Sequence, residues 1–410
     1  MNVAIIGGGA AGLMTAATIL EKNSEINIFL IEKNNGLGKK VMISGGGRCN
    51  VTTGIRDVRT VLTNYPRGSK FLSSAMHQFS PRDIYEWFES HGVPLKTERD
   101  ARVFPQSDNG KDIVAVFEQL FRHPNIHVLL NTSVTQIKKD KKGFQIFFKE
   151  NETPLQVEKV VLTTGGQAYR HTGSTGDGYT FAASLGHSIT KLTPSLNAFF
   201  TKETWPAQIS GLSFSKATIT ATCSKPISFT GPFLFTHKGL SGPAIFALSS
   251  LITFEWDDSK QPLNISIDLF PDISEDALRH KIETVIASNP KRNWLNTMAT
   301  IIPKSLALIV CEKLSLSPEK HTGDVPKKDL IRSLSWIKSI PLHVKGRDAG
   351  DEFVTAGGVE LTEVNPSTME SNICPGLFFA GEILNIDGFT GGFNLQASWA
   401  TGHLAGENIG

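Results

Sequence analysis

The stretch Val3-Ala-Ile-Ile-Gly-Gly-Gly-Ala-Ala-Gly12 decides the fold. A short apolar run meets Gly7, Gly9 and Gly12 and then a helix-forming stretch, which is G-x-G-x-x-G in the strand-then-helix setting it needs. Gly7 permits the tight turn, Gly9 lets the backbone approach a pyrophosphate, and Gly12 lets helix and strand pack closely. The first helical turn, which contains Ala11, offers free N–H groups to the anion. A second apolar run, Ile26 to Ile31, ends at Glu32, about twenty residues beyond Gly12, where this fingerprint sets the carboxylate that holds a ribose. The glycines alone would be a weak sign; with both strands and the acid present, the reading is a dinucleotide site.

Working outward, Gly36-Leu-Gly-Lys-Lys-Val-Met-Ile-Ser-Gly-Gly-Gly-Arg-Cys-Asn50 is too rich in glycine for a helix or strand and reads as a loop whose backbone and cations wrap an anionic cofactor. Residues 69–91 and 109–122 read as helices, with an extended segment, Glu98 to Pro105, between them. From Ile126 to Leu162 the pattern is strands, with a hairpin tip at Lys138-Lys-Asp-Lys-Lys-Gly143. Val160 to Leu162 is a buried strand that runs into Gly165 and Gly166, and a helix follows from about Tyr179. In a doubly wound sheet such a strand end faces the ligand crevice. Composition shifts near Leu192: residues 195–270 read as short antiparallel strands of a barrel or sandwich, and 274–340 as helices, with Ser274 an N-cap and a last helix from Lys327 to Ile340 bounded by Pro341. The chain closes on a buried strand running into Gly381-Glu382 and a helix headed by Gly391-Gly392. A ligand gripped near both ends of the chain is long, which favours FAD over NAD held by one half.

At 410 residues, 40% hydrophobic and 20% charged, the chain has the composition of a globular protein with more than one core. Its net charge of +2, from 41 basic and 39 acidic residues, provides no global field for nucleic acid or membrane. RNA binding would need a local patch. Cys49, Cys223, Cys311 and Cys374 form no C-x-x-C pair, so neither a disulfide framework nor a metal site is expected, and a reducing, cytoplasmic setting fits. The uncharged first 20 residues are explained by the fingerprint, and no membrane span is expected.

Several blocks together closely resemble the BaiN-like (YhiN-like) family of FAD-dependent oxidoreductases, also called the aminoacetone oxidase family. They are Ile43-Ser-Gly-Gly-Gly-Arg-Cys-Asn50, Arg102-Val-Phe-Pro105, Thr172-Gly-Ser-Thr-Gly-Asp-Gly-Tyr179, Leu234-Phe-Thr-His-Lys-Gly-Leu-Ser-Gly-Pro243, Thr355-Ala-Gly-Gly-Val359, Asn365-Pro-Ser-Thr-Met-Glu370 and the closing block. Arg170 departs from the pattern, standing where many members have Pro. The resemblance implies an α/β fold, a Rossmann-like FAD-binding domain interrupted by an insert of a small β-barrel plus a helical subdomain. The boundaries are then 1–191 and 342–410 for the FAD domain with its return, 192–272 for the barrel and 273–341 for the helices. It also implies NAD(P)H-driven reduction of an activated C=C bond, either a uridine in large-subunit (23S) ribosomal RNA or a small molecule such as a steroid-like enone or an amine. An FAD-bound RNA-binding protein without chemistry is the third reading.

The cofactor-binding set then comprises Gly7, Gly9, Ala11, Gly12, Glu32, Lys33, Lys40, Gly46, Arg48, Asn50, Val134 and Gly165. At the other end of the chain it comprises Gly381, Glu382, Gly392, Phe393 and Asn394, with Glu382 in place of the Asp that meets the ribityl chain in many FAD enzymes. N-terminal amides around Gly392 to Asn394 would stabilise anionic reduced flavin through the helix dipole. Reducing a uracil C5=C6 bond takes a hydride at C6 and a proton at C5. Cys49 is one donor candidate, a mostly protonated thiol at neutral pH, set against a buried structural cysteine. His237 is the other, set against a structural histidine. Lys39, Lys40, Arg99, Arg102 and Arg170 are candidate phosphate contacts, for cofactor or RNA.

Overall fold

The computed structural model describes residues 1–151, 153–257, 262–347 and 353–410. They form two compact units, residues 1–195 with 350–410, and residues 196–349. The first is built on five parallel strands in the order Leu377–Phe379, Lys159–Leu162, Asn2–Ile6, Asn27–Ile31, Ile126–Leu129. The chain's first strand is central, with Ile5 opposite Leu30 on one side and Val161 on the other. Strands covered on both faces need no polar alternation, so they read as apolar runs. Val3, Ala4 and Ile5 are accordingly fully buried. Because the strands are parallel, their carboxyl ends share one edge, where the chain departs as Gly7, Glu32, Thr163 and Ala380.

Two helices meet across small residues. In the fingerprint helix, Ala10–Lys22, the Thr15 hydroxyl donates to Ala11 O (2.8 Å) and to Gly402 O (3.0 Å) of the helix Phe393–Glu407. A Cβ at Gly402 would lie 2.5 Å from Ala11 O, and one at Gly406 would lie 2.7 Å from Thr18 Cβ, so glycine sets the separation of the two backbones. On its other side the second helix seats Trp399 against Phe88 and Phe117 at 5.6 and 5.8 Å between ring centres, with the indole N–H donating to Val51 O (3.0 Å). A three-stranded antiparallel sheet, Val134–Asp140, Gly143–Phe148 and Leu155–Val157, turns at the lysine-rich tip read from the sequence.

The second unit closes six strands into a barrel in the order Phe199–Thr201, Gly239–Ser241, Pro226–Phe235, Ser213–Thr222, Leu263–Asp268, Ile340–Arg347. Helices Glu275–Ser288, Trp294–Met298, Lys304–Leu314 and Lys327–Lys338 share its apolar core through Leu278, Trp294, Leu306 and Leu334. Ser274 caps the first of them, accepting from Ala277 N–H (3.2 Å). A Rossmann-like domain interrupted by a barrel and helices is therefore the architecture.

Four local readings change. The helix expected over 69–91 is two, Ser73–Gln78 and Pro81–Ser90, because Pro81 pushes Ser80 out of the helical region. Ser80 instead forms a capping box: its hydroxyl accepts from Asp83 N–H while the Asp83 carboxylate accepts from Ser80 N–H (2.8 Å). The loop at 36–50 contains a short helix, Lys39–Ile43. The strand-rich region 195–270 includes the helix Pro243–Leu251, started by proline in its first turn. The last helix stops at Lys338, and Pro341 lies inside the strand that closes the barrel.

Candidate functional site

The first turn shows why three glycines are needed. Gly7 takes φ +113°, a Cβ there would sit 2.5 Å from Thr163 O, and its N–H donates to Ile31 O (2.9 Å), tying the turn to the second strand. A Cβ at Gly12 would fall 1.9 Å from Gly7 O. Gly9 differs: it caps the helix in an extended conformation, and a Cβ there would meet no protein atom within 4 Å. Glycine is thus required at Gly7 and Gly12 by the fold, and at Gly9 by nothing the chain itself supplies. The opening faces the first-turn N–H groups, which have no acceptor within the helix and carry the positive end of its dipole. Beside it, Glu32 accepts from Gly8 N–H (2.8 Å) through one oxygen and from the Asn34 N–H and side-chain amide (2.8 and 2.7 Å) through the other. A carboxylate has acceptor sites for about four bonds, so capacity remains for one ribose hydroxyl.

Two neighbouring strands end in the same way. Gly165 (φ +71°) follows Leu162-Thr163-Thr164, and Gly381 (φ +78°) follows Phe379-Ala380, with Gly381 N–H held by the Thr401 hydroxyl (2.9 Å). Glu382 accepts from Thr355 N–H (3.0 Å) and from Lys40 Nζ (3.0 Å), joining two regions that lie far apart in sequence. Nearby, the buried hydroxyls of Thr164 and Tyr179 have no hydrogen-bond partner among the described residues. Burial, then the Glu382 charge, pushes the Tyr179 phenol up, so it stays a neutral donor. A buried polar group left unmade costs about 1–3 kcal/mol, so orphaned hydroxyls beside two left-handed glycines suit a polar ligand. With the empty space before Gly9, these features fit an extended dinucleotide such as FAD. Thr164, Tyr179 and Thr355 were not singled out from the sequence, although Thr164 stands just past a buried strand and Tyr179 ends a glycine-rich turn.

The expected cofactor contacts divide. Lys33 bonds the Thr175 hydroxyl and Asp177 (2.6 Å). Arg48 is neutralised locally: its guanidinium donates to Glu98 (2.8 Å) and lies 3.8 Å from the centre of the Phe104 ring, while Arg102 pairs with Glu98 and Asp100. The open element of this loop is Gly45-Gly46-Gly47, all left-handed, where a Cβ at Gly46 or Gly47 would meet nothing within 4 Å. Asn50 faces inward, its side-chain oxygen accepting from Val103 N–H (3.2 Å). Val134, half-buried, begins the strand of the lysine hairpin opposite Phe148. At the closing turn a Cβ on Gly392 would fall 2.3 Å from Thr52 O, Phe393 O accepts from the Tyr65 hydroxyl (2.6 Å), and Asn394 clamps both backbone groups of Gly388 (2.8 Å each). Asn394 thus shapes the turn, and the first-turn N–H groups after Gly392 are the part available to an anion.

The two proton-donor candidates have opposite surroundings. Cys49 has no exposed surface, sits at φ +61° in the core, and burial pushes its thiol up to about 12. His237 is exposed on the turn between the barrel strands Pro226–Phe235 and Gly239–Ser241 of the second unit. Among the described residues no cluster of His, Cys, Asp and Glu could hold a metal, and no helix is long and apolar enough to cross a membrane.

Residues 1–408 match the family model described as HI0933-like protein Rossmann domain. A 3-dehydro-bile acid delta(4,6)-reductase of Clostridium scindens is 29% identical, over 99% of this chain and 98% of its own. A ribosomal RNA dihydrouridine synthase of Haemophilus influenzae is 28% identical, over 99% and 97%. Among solved structures, the 3-ketosteroid delta1-dehydrogenase of Sterolibacterium denitrificans superposes with a TM-score of 0.51 at 12% identity, over 99% of this chain and 98% of its own, a likeness of fold.

Proposed function

The chain belongs to the HI0933-like Rossmann-domain family of flavoprotein oxidoreductases, and from that premise we propose that it is an FAD-dependent reductase of an activated C=C bond, driven by NAD(P)H, whose substrate is a uridine of large-subunit ribosomal RNA. One observation carries the chemistry. Relatives that match from end to end are named as a bile acid delta(4,6)-reductase and as a ribosomal RNA dihydrouridine synthase, and each name denotes reduction of a C=C bond. Bound FAD would supply the hydride. The chain's own part is to hold the pyrophosphate on the N–H groups that follow Gly9, a ribose hydroxyl on Glu32, and negative charge at the N-terminus of Phe393–Glu407. Lys40 and Thr355 fix the Glu382 carboxylate, and the nearby orphaned Thr164 and Tyr179 hydroxyls would find an acceptor in bound FAD. For the proton at C5, a buried thiol raised to about 12 holds its hydrogen too tightly to serve well as an acid.

The test is mass-spectrometric mapping of dihydrouridine in ribosomal RNA from cells with and without the protein, joined to anaerobic bleaching of the purified flavoprotein by NADH and NADPH. Loss of one dihydrouridine together with bleaching supports the proposal; an unchanged modification map refutes the RNA substrate. The bile-acid reductase favours a second reading, reduction of a small steroid-like enone. Turnover of such an enone with an unchanged map would select it.

A further inference from the structure

The barrel unit has a cationic face with an aromatic ring at its centre. Residues 196–349 contain 18 Lys and Arg against 14 Asp and Glu, and the rest of the chain 23 against 25, so the small overall charge conceals opposite signs in the two units. Three adjacent strands organise the face. Phe200 pairs with Gly239 on one side and with Gly346 on the other. Alternation buries Phe199, Thr201, Leu342 and Val344 in the barrel and turns Phe200, His343 and Lys345 outward. Lys202 extends the first strand, its N–H donating to His343 O (2.8 Å). Lys238, in the turn before Gly239, holds its ammonium 5.2 Å from the centre of the half-exposed Phe200 ring. Lys202, His237, Lys238 and Lys345 are all exposed. Among the described residues of these strands and turns the acid is Glu203, and its carboxylate already accepts from His343 Nδ1 (2.6 Å) and N–H (3.0 Å).

The Lys238 ammonium over the half-exposed Phe200 ring, with exposed Lys202 and Lys345 on the adjoining strands and the local carboxylate occupied, suits a polyanion that also carries flat apolar rings. We propose that this outer barrel face binds single-stranded RNA, with phosphates on Lys202, Lys238 and Lys345 and one unstacked base on Phe200. The inference rests on the ribosomal RNA reading above and adds where the RNA is gripped. A duplex offers the phosphates but keeps its bases stacked, so the ring selects single strands or splayed loops.

The experiment uses the full-length, FAD-loaded protein and a fluorescein-labelled, uridine-rich RNA of roughly 16 nucleotides, single-stranded or annealed to its complement, read by anisotropy over a salt series. The triple variant Lys202→Ala, Lys238→Ala, Lys345→Ala is expected to reduce the slope of log K against log salt by about 2, since each phosphate contact on a single strand contributes about 0.7. Phe200→Ala is expected to weaken single-strand binding about tenfold and to leave duplex binding unchanged. Flavin content and melting temperature, read on the same samples, report folding separately. Slopes and affinities equal to wild type in both variants overturn the inference. If wild-type protein also restores dihydrouridine to ribosomal RNA in cells lacking it, the barrel face alone has failed. If wild type binds no RNA and restores none, the substrate reading has failed with it.

Discussion

Gly9 and Gly12 stand three residues apart in one motif, and the structure gives them opposite duties that two variants separate. A Cβ at Gly9 meets no protein atom within 4 Å, and its backbone is already extended, so Gly9→Val places its Cβ in open space without backbone strain. The remaining cost is a poorer helix cap, about 1 kcal/mol, or roughly 2–4 °C in melting temperature. The same methyl groups enter the space before the helix N-terminus, where a pyrophosphate would rest. An overpacking cost of about 1–3 kcal/mol corresponds to a rise in the FAD dissociation constant of about 5–150-fold. Gly12→Ala is the converse: its Cβ would lie 1.9 Å from Gly7 O and 2.8 Å from Thr163 Oγ1, so helix and strand must part and the empty protein itself loses stability. Titration of the apoprotein with FAD, followed by flavin fluorescence, and thermal melts without FAD separate the two effects. A folded Gly9→Val protein that binds FAD as tightly as wild type would refute the placement of the pyrophosphate, and an unchanged melt for Gly12→Ala would refute the packing argument.

Other outcomes follow from single groups. The Cys49 thiol should resist a thiol reagent at pH 8 until the protein unfolds, and Cys49→Ala should keep a near-normal dihydrouridine yield per bound flavin; a fall on the order of 10²–10⁴ would return Cys49 to the chemistry. A thiol that keeps its proton to about pH 12 when folded, against 9.0 ordinarily, gives stability that is full below pH 9 and is lost as pH climbs toward 12. Cys49→Ala should flatten that alkaline limb, and an identical limb would show that the burial is not maintained. Tyr179→Phe removes an orphaned buried hydroxyl, so the apoprotein should melt higher, by about 1 kcal/mol in stability, while FAD affinity falls; a gain in FAD affinity would exclude the hydroxyl from the site. Arg67 pairs with the Asp387 carboxylate, which is 1% exposed, so Arg67→Ala should cost about 3–5 kcal/mol in denaturant titration, and a loss below about 1 kcal/mol would show that the charge is satisfied without it.

The parallel sheet was legible because strands buried on both faces leave apolar runs, and because three of those runs lead into a glycine that the turn demands, Gly7, Gly165 and Gly381. The lysine hairpin and the Ser274 cap were legible for a similar local reason: the residues that end or start an element lie next to it. Where packing decided, the sequence was silent. Val41 anchors the short helix Lys39–Ile43 inside a stretch whose glycines suggest only loop, and the apolar run after Pro243 suits a buried strand as well as the buried helix it forms. Ser80-Pro81 was an available helix-start signal that the apolar periodicity across 69–91 concealed. The charge of Arg48 could not be assigned from the sequence because its partners, Glu98 and Asp108, are fifty and more residues away. Cys49 is the same lesson in another form, since the sequence leaves it between a proton donor and a buried structural cysteine, and the fold shows it buried.

The sheet's edge strand, Leu377–Phe379, and the helix whose glycines seat on Ala11 and Thr18 are made after the residues 196–349, although their partners are made before them. At a ribosomal rate of about 5–20 residues per second, roughly 10–50 s separate the emergence of Lys159–Leu162 from that of its neighbour, while the whole barrel unit is synthesised between them. During that interval an apolar strand edge and the small-residue face of the first helix stand uncovered. The length of the insert therefore fixes how long that apolar surface stays uncovered in the nascent chain, and slower synthesis through residues 196–349 lengthens its exposure to aggregation.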